Sequence, residues 1–121
     1  MRAVSWFMQH DAKAYLHDVL VAIENIEKFL HGLNKQNYLD SDLVQSAVER
    51  QFIIIGEALN QVSRLKTVSA IQIGQIAAIV GFRNQIVHGY RLVNSSRVYD
   101  IAIQNLSLLK SEVQSILADG E

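Results

Sequence analysis

The chain has 121 residues, half of them hydrophobic, with 11 basic and 12 acidic side chains and a formal net charge of −1. That length suits one domain with a core of its own, and that composition excludes a disordered chain. Without cysteine there are no disulfides and no thiolate metal sites, a usage in keeping with the expected cytoplasmic location. No apolar run approaches the ~20 residues of a membrane span, and the segment before Trp6 has no signal-peptide core. Proline is absent, which favours long uninterrupted helices.

The first helix is expected from near His10 to Leu30, because Tyr15, Leu16, Val19, Leu20, Ile23, Ile26 and Leu30 recur at three- and four-residue steps. Gly32 supplies its stop, and Asn34 to Tyr38 read as a loop. His10, His17 and His31 read as solvated surface groups, since no third ligand lies near them in sequence. The second helix opens at Asp40 or Ser41 with Asp42 in its first turn, and runs to about Lys66. Val44, Val48, Phe52, Ile55, Leu59 and Val62 form its stripe. Ile53, Ile54 and Ala58 add a second apolar face, which leans towards a subunit interface over a merely central helix. Gly56 inside this helix costs about 1 kcal/mol relative to alanine, and a close approach of another helix would account for it. Glu57 either pairs with an arginine such as Arg83 or faces solvent.

Ser69 is a candidate cap for the third helix, which turns Ile71, Ile73, Ile76, Ala77, Val80 and Val87 inward and ends at or just before Gly89. Asn94, Ser95 or Ser96 caps the fourth, whose stripe is Val98, Ala102, Leu106, Leu109, Val113 and Ile116, with Asp119-Gly120-Glu121 frayed. Four helices with short connections make an all-α antiparallel four-helix bundle spanning residues 1–121 as one domain.

Charge is unevenly spread. From Ala58 to Tyr99 there is no acidic residue, yet Arg64, Lys66, Arg83, Arg91 and Arg97 all fall there. A basic middle between acidic ends is a cue for an anionic ligand or partner. At its centre lies Arg83-Asn84-Gln85-Ile86-Val87-His88-Gly89-Tyr90. Five residues advance a helix by about 140° past a full turn, so Arg83 and His88 do not share a face. These groups suit metal-independent RNA cleavage: Arg83 for the phosphate, His88 for proton transfer, and Asn84 to orient the phosphate or a histidine. One chain offers one such histidine, and a two-fold dimer would supply a second. Singly, each has a plainer reading: Arg83 as the ion-pair partner of Glu57 or Asp100, His88 as a helix cap, Tyr90 as a surface anchor. Their cluster in an acid-free segment favours the functional one.

The stretch resembles the R-x4-H-x-Y motif of HepT-like toxins of the HEPN superfamily, with Arg83, His88 and Tyr90 as motif residues. Ile53-Ile54-Ile55-Gly56-Glu57-Ala58 is similar to a segment of that family's second helix. The likeness covers roughly Ala12 to Leu117. It implies a homodimer or higher oligomer with both R-x4-H sets lining a cleft, no cofactor and no metal. It further implies toxin ribonuclease activity on RNA, and an MNT-type nucleotidyltransferase antitoxin that transfers AMP to the motif tyrosine, by position Tyr90. The alternatives are a non-catalytic helical substrate-binding subunit of a nucleotidyltransferase, which would form the complex but cleave nothing, and a structural dimer indifferent to the motif residues.

Overall fold

Long apolar periodicities without a proline to interrupt them produce an all-helical chain. The computed structural model describes residues 2–65, 73–89 and 93–119, with side chains from Asp11 onward. The helices are α1 (Arg2–Leu30), α2 (Lys35–Leu39), α3 (Asp42–Leu65), α4 (Ile76–His88) and α5 (Ser95–Asp119). α3 packs against α1 and α4, and α5 lies along α1. Among the described residues no helix is long and apolar enough to cross a membrane.

Most of the expected stripe residues form the core, while Tyr15, Leu20 and Val44 are partly buried and pack against it. Leu16, Val19, Ile23, Ile26 and Leu30 of α1 are buried, with Ala12 and Ala22 between them. Val48, Phe52, Ile55, Leu59 and Val62 of α3 are buried, as is every residue of the α5 stripe. Gly32 has φ +77°, the left-handed stop that glycine adopts at little cost. Ser41, not Asp40, caps α3: its Oγ accepts from the Val44 N–H at 3.1 Å. Asn94 caps α5 by accepting from Arg97 at 3.2 Å.

Among the described residues five helices stand where four were expected. Asn34 and Asn37 accept reciprocally from each other's backbone N–H, at 2.8 and 3.0 Å, and this box nucleates α2 in the expected loop. α2 is worth forming because it delivers Tyr38 to the core, fully buried and packed at a tilt against Tyr99 with ring centroids 5.5 Å apart. Gln45 fixes it there: its amide donates to the Tyr38 and Leu39 carbonyls at 3.1 and 3.0 Å, while its Oε1 accepts from Ser95 Oγ at 3.2 Å. Lys35 binds both Asp100 oxygens, at 2.9 and 3.1 Å.

Other expectations shift. α1 begins at Arg2, before the expected start near His10, and Asp119 is still helical. In α4, Ile86 rather than Val87 is the buried residue, Ala77 is exposed, and Ile73 is buried ahead of the helix. The 13-residue helix is apolar on most sides, so periodicity does not select its inner face. The expected cap Ser69 and the inward Ile71 lie outside the described residues, as do Gly120 and Glu121. Of the second apolar face of α3, Ala58 is buried and Ile53 and Ile54, partly buried, pack against the core, because α3 is flanked on two sides.

Burial raises the carboxyl pKa of half-buried Glu49 above its ordinary value and pushes the Tyr38 phenol well above its own, with the Glu49 charge adding to the latter. A carboxyl whose folded pKa is raised contributes stability below its unfolded pKa, lost as pH rises through the folded one. Glu49→Gln is therefore expected to raise the thermal midpoint at pH 7 and to change it little at pH 4. A midpoint lowered at pH 7 would show that the charge is stabilising.

Candidate functional site

The site is built where α3 and α4 touch. Gly56 has no side chain, and the stem of Arg83 occupies the space: a Cβ on Gly56 would lie 2.3 Å from Arg83 Cβ and 2.6 Å from Cγ. The expected close approach is thus with the motif arginine itself. Pinned there, Arg83 sends its guanidinium outward with 26% of the side chain exposed, so it is positioned yet reachable. Nη2 meets Glu57 Oε1 at 3.2 Å, and Nη1 donates to Asn84 Oδ1 at 2.7 Å. Nε is buried and makes no hydrogen bond among the described residues. Glu57 is about half exposed, so the pair is a surface one and orients the fork more than it stabilises the fold. Asp100, the other partner considered for Arg83, is taken by Lys35.

Arg83 and Asn84 are therefore joined, and His88 is not joined to them. It is the exposed last residue of α4, five residues on, about 7.5 Å along the axis and turned by about 140°. Tyr90 lies outside the described residues. Gly89 ends the helix as expected, but not through left-handed geometry: φ is −111°. Its N–H donates to the Gln85 carbonyl at 2.8 Å, and a Cβ there would lie 2.8 Å from that same oxygen. Gly89→Ala is expected to lower stability by about 1 kcal/mol and to fray the turn carrying His88. Unchanged hydrogen-exchange protection of the Gly89-equivalent amide would overturn that.

Beside Arg83 runs an open groove of about 450 Å³ between α1, α3 and α4. α1 contributes Tyr15 and Asp18, α3 contributes Glu57, Asn60, Gln61 and Arg64, and α4 contributes Arg83. Sequence reasoning passed over Tyr15, Asp18, Asn60 and Gln61. The only signal was the polar repeat 57, 60, 61, 64 along one edge of α3, and Tyr15, read as part of the apolar stripe of α1, joins it from a helix far away in sequence. On the other side of α4, Phe52 and Phe82 meet edge-to-face with centroids 5.2 Å apart. Among the described residues no three His, Asp or Glu side chains gather as a metal site, and His17 and His31 are exposed.

Known proteins resemble the chain over most of its length. The family described as ribonuclease HepT-like matches residues 19–116. Two proteins of Methanocaldococcus jannaschii, both named as candidate RNases, are each 25% identical over 115 residues, covering 93% of this chain and 93% and 97% of their own lengths. A third protein of that organism, named as a gamma-glutamylcyclotransferase and candidate RNase, is 25% identical over 114 residues, 93% of this chain and 50% of its own length. No solved structure matches.

Proposed function

The chain belongs to the ribonuclease HepT-like family, and from that premise we propose that it is the toxin of a toxin–antitoxin pair, a metal-independent endoribonuclease whose active site two chains complete. The observation that carries this reading is the seating of Arg83. Its stem is held against Gly56 and its fork by Glu57 and Asn84, while His88 stands exposed at the end of the same helix. An arginine oriented before the substrate arrives is a prepared phosphate site.

In this mechanism Arg83 binds the scissile phosphate and offsets the charge that builds on it. One His88 takes the proton of the 2′-hydroxyl, and the 2′-oxygen bonds to phosphorus. The bond from phosphorus to the 5′-oxygen breaks, and that oxygen takes a proton from the His88 of a second copy, leaving a cyclic phosphate. Two copies are required because a single chain carries one motif histidine, on a different face from Arg83. Asn84 keeps the fork from swinging away. The antitoxin is a nucleotidyltransferase of the MNT type. It moves AMP from ATP to the Tyr90 hydroxyl and releases pyrophosphate. The added bulk and negative charge oppose RNA phosphate beside His88.

The test is cleavage of a mixed RNA pool in EDTA by purified protein whose intact mass excludes added AMP. Cleavage lost in the Arg83→Ala and His88→Ala variants is the expected result. An inert, unmodified dimer would leave the non-catalytic nucleotidyltransferase subunit as the better reading.

A further inference from the structure

The groove beside Arg83 is too large and too mixed in chemistry for a phosphate alone. At about 450 Å³ it has room for a nucleoside. Its charges cancel: Arg64 and Arg83 are opposed by Asp18 and Glu57, two against two. A site built for a bare anion would carry an excess of cations. What remains is an acceptor carboxylate on Asp18, two side-chain amides on Asn60 and Gln61 that both donate and accept, and the ring of half-buried Tyr15. Amides, a carboxylate and an aromatic ring are the groups that read and stack a base.

We infer that this groove is a nucleotide subsite, which holds the residue adjoining the phosphate on Arg83 and selects its base. The inference rests on the ribonuclease reading and gives it a substrate preference. Arg64 lies two helical turns from Glu57, about 10 Å along α3, and there meets the next phosphate along the strand. Asp18 accepts from an exocyclic amino group, as a carboxylate does from the N4 amino group of cytosine. Uracil offers a carbonyl oxygen at that position, which repels the carboxylate. Cytosine and uracil are alike in size and in stacking, so the difference between them isolates the contact with Asp18.

The experiment uses the full chain carrying His88→Ala, which binds without cutting, and labelled single-stranded hexamers of cytidine and of uridine in EDTA. The cytidine hexamer is expected to bind about tenfold more tightly, the yield of one hydrogen bond to a charged group. Asp18→Asn, a same-size change at an exposed position, is expected to level that preference. Arg64→Gln is expected to lower the slope of log affinity against log salt by about 0.7, one single-strand phosphate contact. Arg50→Gln, equally exposed on α3 but away from the groove, leaves the base preference intact. Equal binding of the two hexamers, a preference that survives Asp18→Asn, or no binding of either overturns the subsite. The unaltered chain is assayed for cleavage of the same hexamers. Cleavage without base preference keeps the ribonuclease reading and removes the subsite. Cytidine-selective binding without cleavage does the reverse.

Discussion

His88→Ala is expected to cut RNA cleavage by about 10²- to 10⁴-fold, the span of a lost general acid or base, and to leave the fold intact. The side chain is exposed and ends its helix, so no core contact goes with it. Arg83→Ala is expected to abolish cleavage equally but to cost some stability. The ion pair with Glu57 is a surface one, worth no more than about 1 kcal/mol, and the arginine stem against Gly56 adds packing. Arg83→Lys separates charge from shape: an ammonium keeps the charge but cannot span Glu57 and Asn84 as a planar fork does, so cleavage stays low. Single-turnover assays with circular dichroism read both effects. Wild-type rates in the His88 variant would end the proposed mechanism.

Gly56→Ala is expected to destabilise the chain although alanine is the better helix former. The propensity gain is about 1 kcal/mol. Against it stands a methyl group placed 2.3 Å from Arg83 Cβ, an atom close to the backbone that no rotamer change can move. Overpacking of this kind costs about 1–3 kcal/mol, and forcing α3 and α4 apart also displaces the guanidinium. Gly81 is the control: it is helical too, but a Cβ there meets nothing within 4 Å, so Gly81→Ala is expected to gain close to the full propensity term. Urea denaturation of the pair decides the matter. Equal stabilisation in both variants would show that the contact at Gly56 relaxes freely.

What the sequence disclosed and what it withheld divide along physical lines. The stripes of α3 and α5 were legible because each apolar residue recurs on one face of a long helix. Gly56 was legible as a cost that a neighbouring helix must repay in packing, and Gly89 as a stop. α2 was not legible, since a five-residue helix has no period to read and its capping box uses asparagine at both positions. The inner face of α4 was not legible because isoleucine, valine, alanine and phenylalanine surround it. Of the site, the partnership of Arg83 with Glu57 was one of two alternatives in the sequence, and the fold chose it by giving Asp100 to Lys35. The groove could not be read, because Tyr15 and Asp18 reach it from a helix some forty residues before Gly56. Only tertiary packing puts them there.

The packing of α4 is lopsided. One side rests on α3 through Gly56 and Phe52, whereas towards α5 it leaves hollows of about 280 and 400 Å³ around Phe82 and Arg97. Stability is therefore not shared evenly along the chain. α1 and α3, which share the most extensive helix–helix packing, are expected to open only with global unfolding, and α4 to open locally at a lower free energy. The helix that bears Arg83 and His88 is thus held mainly by one neighbour, and sub-global opening would carry both groups away from Gly56 and Glu57 of α3 without melting the core.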